Sequence, residues 1–314
     1  MRQLVLIWPV ALCMAASTAT ASSFQPGDVL VIGGTQQITE YTPDGTIVQA
    51  IPIPSNGGGP VEVPHDLTVD DNGIVHVFNG TFSPLLSSYN PASQTWSSTT
   101  FPGWNTAGAS TQGGVAAFRH FVFATDMYVF PEALNDRGLI RFDLSSNTAL
   151  KFFNGYDMGD VTVGLDGLVY GVGAQGSAGP ISVFDPVSLQ LVRTFSLGFQ
   201  TGGLAVDSAG NIFAIGVGSL ATSIARYSPE GTLESTLDTG FDLSHIDIDS
   251  QGHIVAASDD HIIITDESLS SFATFQVPFN VPNFSTIVPI PEPGALLEIG
   301  VGLAVLSGFR RARQ

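Results

Sequence analysis

The sequence is poor in cysteine, in basic residues and in long amphipathic runs. Its single cysteine, Cys13, lies in an apolar N-terminal run, so disulfides cannot support the fold and packing has to stabilise it. Only 10 Lys and Arg stand against 28 Asp and Glu, a formal net charge of −18. Nucleic-acid phosphates are bound through Lys and Arg, so we expect no nucleic-acid partner. Sustained 3.6-residue periodicity is also missing, which argues against helical repeats.

Common catalytic and nucleotide-binding motifs are missing as well. The chain has no GxSxG, HExxH, Walker loop or dinucleotide fingerprint. Its DxxG-type turns, which contain Asp70, Asp166, Asp207 and Asp249, lack the distal glutamate of an EF-hand loop. We interpret these aspartates as residues that cap their own turns.

The N-terminus has the three parts of a secretory signal peptide. Met1 and Arg2 form a short positive region, residues 4–16 are apolar, and residues 19–21 form an A-x-A site. The sequence therefore predicts that residues 1–21 are a signal peptide, removed by signal peptidase during export.

A strand-turn-strand pattern recurs along the rest of the chain. It is clearest in residues 204–215 and returns in residues 67–77, 161–172 and 246–257. The turn glycines Gly73, Gly167, Gly210 and Gly252 are separated by 94, 43 and 42 residues. The first interval spans two periods, and its degenerate unit at residues 114–124 has Arg119 and His120 in the turn. With a first unit after Gly27, six units result.

Each unit also has a second half, in which a strand ends at an aromatic residue before a polar turn. Four strands in a period of 42 to 48 residues are typical of a β-propeller blade. An apolar segment at residues 284–288 is left over after the sixth unit and can complete the first. We therefore predict an all-β fold, a six-bladed β-propeller over residues 24–290 that a C-terminal strand closes.

The blade sequences resemble NHL-type and streptogramin-lyase-type propeller repeats. Residues 64–73, PHDLTVDDNG, carry the clearest similarity. Propellers with this repeat serve as enzymes, ligand binders and scaffolds, so the resemblance implies a fold and leaves the function open.

The last 24 residues resemble the PEP-CTERM sorting signal of Gram-negative bacteria. Pro291, Glu292 and Pro293 precede an apolar run, residues 294–309, and the chain then carries Arg310, Arg311 and Arg313. The 16-residue run is about 24 Å long as a helix, a short membrane span. The resemblance implies that an exosortase-type enzyme processes residues 291–314. The protein would be anchored transiently in the inner membrane by this helix, then released or attached at the cell surface.

The loops that enter the innermost strands provide one candidate site. In a propeller these loops surround the central channel, and here they carry His65, Asp66, Asp160 and His245. Two imidazoles and two carboxylates near one axis are suitable ligands for a divalent cation. The alternative is that they are polar groups lining a wet channel. Asp247, an acid between two isoleucines, is predicted to bond to backbone at the channel.

A glycine followed by an aromatic residue recurs with the blade period and provides a second candidate site. The four aromatic residues are Trp104, Tyr156, Phe199 and Phe241. Exposed rings in a circle can stack on sugars, whereas large aromatics repeated in register often fill a structural slot between blades. Both interpretations stay open.

These observations lead to two functional hypotheses. The first is a non-enzymatic, exported binding or scaffold protein of an exopolysaccharide or biofilm matrix, with no catalytic residues and no cofactor. The second is a lyase or lactonase that works at the channel mouth.

Overall fold

Short apolar strands separated by polar turns form every sheet in the structure. The computed structural model describes residues 24–33, 35–54, 64–79, 84–104, 113–126, 137–156, 158–173, 180–216, 221–278 and 284–289. These residues contain 24 strands in six four-stranded antiparallel sheets. The predicted signal peptide, 1–21, and the predicted sorting segment, 291–314, lie outside them. No helix among the described residues is long and apolar enough to span a membrane.

The strands follow one another at the spacing that the repeat predicts. In chain order they are β1 Val29–Gly33, β2 Thr35–Tyr41, β3 Ile47–Pro52, β4 Pro64–Val69, β5 Val75–Asn79, β6 Leu85–Asn90, β7 Thr95–Thr99, β8 Val115–Phe118, β9 Phe121–Asp126, β10 Gly138–Asp143, β11 Thr148–Phe152, β12 Met158–Val163, β13 Val169–Gly173, β14 Ile181–Phe184, β15 Leu191–Phe195, β16 Thr201–Val206, β17 Ile212–Gly216, β18 Ser223–Tyr227, β19 Leu233–Asp238, β20 Leu243–Ile248, β21 His253–Ser258, β22 His261–Asp266, β23 Ala273–Gln276 and β24 Phe284–Ile287.

Five sheets use four consecutive strands, and the first sheet is closed by the end of the chain. Its order is β24-β1-β2-β3, with Ile32 opposite Phe284 and Val29 opposite Ile287. The innermost strands β24, β4, β8, β12, β16 and β20 contact their neighbours in that order around a ring. The six-bladed propeller and its C-terminal closing strand are therefore confirmed.

The hairpin turns between the first two strands of a blade need a left-handed backbone. Gly210 adopts φ = 84°, a conformation that costs glycine little. In the third blade the two-residue turn holds Arg119 at φ = 56°. The degenerate third unit thus has a shorter turn than the other units but still contains a residue with a positive φ.

The core lies between neighbouring blades. The second strands are almost fully buried, as in β1 and β17, whereas the outer strands β3 and β19 expose most of their side chains. Apolar clusters fill the spaces between adjacent sheets, and one of them joins β5 of the second blade to β1 and β24 of the first. Packing between sheets therefore provides the stability that disulfides cannot.

Three of the few basic residues connect consecutive blades on their outer side. Arg141, Arg193 and Arg226 each donate Nη1 to a turn carbonyl of the next blade, those of Val187, Pro229 and Glu267 respectively. Guanidinium groups are suited to this because they present several donors in one plane.

Candidate functional site

A bulge at the start of the inner strands directs the channel side chains. In β4, β12, β16 and β20 the pairing register skips the second residue of the strand. The residues just after these bulges occupy equivalent positions, and they are Asp66, Asp160, Gly203 and His245. A β-bulge re-aims the side chains next to it, so three ionisable groups converge on the channel.

His245 and Asp66 form an ion pair across the channel. Nε2 of His245 lies 3.1 Å from Oδ1 of Asp66, although β20 and β4 belong to the sixth and second blades. The strand between them is β24, and the His245 ring packs edge-on against Phe284 of that strand with 5.7 Å between centroids. The pair therefore passes over the strand that closes the ring.

The two channel aspartates on bulged strands share one hydrogen-bonding pattern. Asp66 accepts the backbone N–H of Leu67 at 2.7 Å and that of Val115, in the next blade, at 2.8 Å. Asp160 accepts Val161 N–H at 2.8 Å and, again from the next blade, the N–H of Leu204. Each carboxylate thus joins two neighbouring inner strands.

Asp247 joins neighbouring strands in the same way, two residues further along β20. It accepts the N–H of Ile248 at 2.8 Å, the N–H of Ile287 on β24 and the hydroxyl of Thr286. The prediction that Asp247 bonds to backbone at the channel is confirmed.

Two glycines give the Asp160 carboxyl its space. A Cβ atom added at Gly114 would lie 2.2 Å from Oδ1 of Asp160 and 2.4 Å from the backbone nitrogen of Val161. One added at Gly203 would lie 3.2 Å from Oδ2. Gly114 and Gly203 occupy the repeat position at which the second blade carries Asp66. This correspondence is the sequence signal that could have shown that the two glycines make room for Asp160.

The converging groups change one another's proton affinity. Burial opposes a charge on His245, but the carboxylates of Asp66, Asp160 and Asp247 outweigh it and raise its pKa to about 9. Burial, together with the neighbouring charge of Asp66, raises the pKa of Asp160 to about 7. Burial also raises the pKa of Asp247, against its bond from Thr286. At neutral pH the imidazole is therefore charged and Asp160 is partly protonated.

His65 stands apart from the other three predicted channel residues. Its ring is fully buried, packs 5.0 Å from the Phe78 ring and finds no hydrogen-bond partner for either nitrogen among the described residues. Burial lowers its pKa to about 4, so the ring is neutral at physiological pH. The structure brings Asp66, Asp160 and His245 together, with Asp247 as a fourth member, and leaves His65 in the core.

A small cavity lies beside this cluster. Its volume is about 50 Å³, enough for a few water molecules, and it is lined by the titratable residues Asp160, His245 and Asp247 together with small and polar neighbours such as Thr68, Ala116 and Thr162. Nδ1 of His245 has no hydrogen-bond partner in the part of the chain that the structure describes. Within the described ranges no group of three His, Cys, Asp or Glu side chains is placed to hold a metal ion. Because the pKa of Asp160 is about 7 and the neighbouring His245 is charged, these side chains can take up and release protons near neutral pH.

The four predicted stacking aromatics differ in their surroundings. Trp104 is 4% exposed, stacks on Phe78 at 4.7 Å and donates Nε1 to the carbonyl of Thr125 at 2.9 Å. Phe199 and Phe241 are half-buried beside interblade clusters. Only Tyr156 is well exposed, at 51%.

Tyr156 has a rigid support. Its ring lies parallel to that of Phe153, 4.2 Å away, and Phe153 packs in turn against Phe184. Phe153 has φ = 53°, an uncommon conformation for a bulky residue. Of the four aromatics, Tyr156 is therefore the one with an accessible ring.

The turn aspartates have the structural role that the sequence predicts. Oδ1 of Asp207 accepts the N–H groups of Ala209 and Asn211 at 2.9 and 2.8 Å, and Oδ2 accepts the amide of Asn211 at 2.7 Å. Asp70 and Asp249 cap their turns in the same manner, each with a histidine on the second oxygen. The turn-capping interpretation is confirmed.

A pair of buried acids at the closing blade was missed by sequence reasoning. Asp28 and Glu40 are both buried, and Glu40 accepts from Gln25 N–H and from the Gln49 amide. Burial and the adjacent charge of Glu40 raise the pKa of Asp28 to about 6. The antiparallel pairing of β1 with β2, in which Leu30 lies opposite Glu40, brings the two acids together.

Comparison with known proteins supports the fold and leaves the function open. No protein-family profile and no curated protein matches the sequence. Among solved structures, a chain of the nidogen/laminin complex aligns with a TM-score of 0.67 and 13% identity, over 84% of this chain and 99% of that one. The chain is a β-propeller. Virginiamycin B lyase from Staphylococcus aureus aligns with a TM-score of 0.53 and 12% identity, over 81% and 85%. At these identities the similarity shows architecture alone, and it agrees with the resemblance to streptogramin-lyase-like propellers.

Proposed function

We propose that this chain is an exported propeller without enzymatic activity, sorted to the cell surface by an exosortase-type enzyme. There it acts as a binding or scaffold protein in an exopolysaccharide or biofilm matrix. The sorting part of the proposal rests on the signal-peptide pattern of residues 1–21 and on the tail, residues 291–314. The binding part rests on the channel and on the outer surface.

The observation that carries the proposal is that the channel carboxylates are already engaged. Asp66, Asp160 and Asp247 each accept two backbone N–H groups from adjacent inner strands. Part of the acceptor capacity of each carboxylate is thus committed to joining neighbouring inner strands, which favours a structural role for these side chains. The cavity at the centre has room for only a few water molecules, so we place a polymeric ligand outside the channel.

Tyr156 is the side chain that we assign to ligand contact. Its ring is exposed and held in one orientation by the parallel ring of Phe153. A flat, immobilised aromatic surface can stack on a sugar ring at little cost in side-chain entropy. We propose that the Tyr156 ring stacks on the apolar face of a pyranose ring.

Processing is tested by mass spectrometry of the mature protein from its host, with and without the sorting enzyme. We expect a new N-terminus at Ser22 in both strains, and loss of the C-terminal segment only where the enzyme is present. An intact chain end at Gln314 in both strains would contradict the sorting proposal.

Ligand contact is tested by retention on exopolysaccharide extracted from the host and immobilised. Tyr156→Ala should weaken retention about tenfold, in the range of one lost stacking contact. Leu191→Ala, at an exposed position on β15, is the matched control and should bind like the unaltered protein. Equal retention of both variants would exclude Tyr156 as the contact. No retention of the unaltered protein would exclude the polysaccharide.

A second candidate function is proton-transfer catalysis at the channel, as in a lyase or lactonase. The raised pKa of Asp160, about 7, beside a solvent-sized cavity favours it. Assay of the purified protein on lactone and cyclic-ester substrates tests it. Turnover that follows a pH profile near 7 and disappears in Asp160→Asn would replace the binding proposal.

A further inference from the structure

Three ionisable groups of the channel, Asp66, His245 and Asp247, lie on the two strands that flank the strand closing the ring. β24 is the inner strand of the first blade and lies between β20 and β4. Its Phe284 packs on His245, and its Thr286 donates to Asp247. The His245–Asp66 pair then joins the blades on either side. The strand that closes the ring is thus contacted by two ionisable side chains of β20, and the His245–Asp66 ion pair crosses over it to β4.

β24 is also the inner strand with the least covalent support. The other inner strands continue through a hairpin turn into the second strand of their own blade, whereas β24 pairs with β1 from the opposite end of the chain. Beyond the ladder to β1, Val288 N–H bonds to Asp28 C=O at 2.8 Å and Gly27 N–H to Val288 C=O at 3.0 Å. Noncovalent contacts alone therefore keep the ring closed here.

We propose that His245, Asp66 and Asp247 form a charge-controlled latch that holds the C-terminal strand β24 in the ring. With the imidazolium present, His245 bonds to Asp66 over β24 and offsets the charge of Asp247, which binds β24 directly. When the imidazolium loses its proton, Asp66 and Asp247 keep their negative charges without a cation between them. Repulsion and the lost ion pair then favour release of β24. The latch does not depend on the proposed sorting or binding role.

The surroundings of the latch determine the direction of its pH response. The titratable groups that face His245 are Asp66 on β4, Asp160 on β12 and Asp247 on β20 itself, while β8, β16 and β24 present Gly114, Gly203, Phe284 and Thr286, which carry no charge.

Burial opposes the charge of the imidazole, but the acids that face it among the described residues outweigh burial and raise its pKa from 6.5 to about 9. A raised pKa means that the stabilisation is complete below 6.5 and is lost as the pH rises through 9. The latch is therefore closed at neutral pH and opens in alkali.

Hydrogen exchange of the full-length protein, followed by mass spectrometry from pH 6 to pH 10, tests the latch. Protection of β24, corrected for the intrinsic pH dependence of exchange, should fall about tenfold or more over this range. Protection of β17, a central strand of the fifth blade, should change much less. A parallel loss of protection in β24 and β17 would mean global unfolding and would overturn the proposal without any variant.

Variants of His245 identify the group responsible. His245→Gln should give weak protection of β24 without a step near pH 9, and His245→Lys, which keeps a cation, should extend protection beyond that pH. Asp249→Asn is the matched control, because it removes a buried carboxylate of the same blade outside the channel. It should keep the step. A step that persists in His245→Gln would assign the pH response to another group and refute the latch.

Discussion

The channel and the hairpin turns both rely on buried aspartates, and the two regions use them in opposite ways. A turn aspartate such as Asp207 accepts N–H groups from its own turn. A channel aspartate such as Asp160 accepts one N–H group from its own strand and one from the next blade.

Their electrostatics differ accordingly. In the turn residue Asp70, burial is outweighed by hydrogen bonds from His76 and from the turn backbone, which lower the pKa, whereas burial and a second carboxylate raise the pKa of Asp160 to about 7. The comparison shows that one residue type serves two purposes: a turn aspartate closes a local hairpin, and a channel aspartate joins neighbouring blades at the centre of the ring.

Breaking the His245–Asp66 ion pair of the channel should have the largest effect on the free energy of unfolding. Asp66→Ala leaves the His245 imidazolium buried without its partner and deprives Val115 N–H of its acceptor. We expect a loss of about 3–5 kcal/mol in the free energy of unfolding, measured by urea denaturation. The double variant Asp66→Ala/His245→Leu removes both charges and should recover part of it. An additive double loss would mean that the two side chains do not interact.

The second largest loss of stability is expected when a side chain fills the space beside the Asp160 carboxyl. Gly114→Ala places a Cβ atom 2.2 Å from that carboxyl and 2.4 Å from the Val161 backbone, and backbone cannot move aside cheaply. We expect about 2–3 kcal/mol of destabilisation in the same assay. Gly203→Ala meets only the carboxylate oxygen, at 3.2 Å, and should cost clearly less. Equal losses would show that the Asp160 site tolerates close packing.

The pH dependence of stability should separate the two regions. Asp160, raised from 3.8 to about 7, and His245, raised from 6.5 to about 9, both stabilise at low pH and lose that contribution as the pH rises through their folded values. Turn residues with a lowered pKa, such as Asp143, lose theirs below 3.8.

The melting temperature should therefore be highest near pH 4–5 and fall by several degrees toward pH 9. Calorimetry checks this, and Asp160→Asn should flatten the decline between pH 4 and 7. A melting temperature that rises from pH 5 to pH 9 would contradict the channel assignment.

Removing one turn cap should have the smallest effect. Asp207→Ala frees two N–H groups of a turn that solvent reaches in part, and we expect about 1–2 kcal/mol without any change in the alkaline limb of the pH profile. Urea denaturation at pH 6 and pH 9 measures both quantities. A loss as large as that of Asp66→Ala would mean that turn and channel aspartates contribute equally to stability.

Much of the fold is predictable from the sequence because local rules repeat in it. Turn glycines such as Gly210, with an aspartate three residues earlier, specify a hairpin wherever they occur, and their spacing counts the blades. The third unit is recognisable without its glycine because the 94-residue interval between Gly73 and Gly167 spans two periods. The unmatched segment at residues 284–288 predicts the closure by elimination.

The channel site was predicted only in part. The structure brings together Asp66, Asp160 and His245, three of the four residues that the repeat placed at the channel. The fourth, His65, is the bulge residue of β4 and lies in the core beside Phe78. A skipped residue in the pairing register leaves no trace in the sequence pattern. The same limit applies to the aromatics, where one periodic position gives a buried Trp104 and an exposed Tyr156.

The sequence by itself determined the strands, the turns and the number of blades, because each depends on residues close together in the chain. Tertiary structure decided which charges meet. Residues 66 and 245 become an ion pair over β24 only once the ring has closed, and the pKa values of His245 and Asp160 follow from that desolvated meeting. Electrostatic coupling depends on distance and burial across the axis, and neither quantity is encoded in the spacing along the chain.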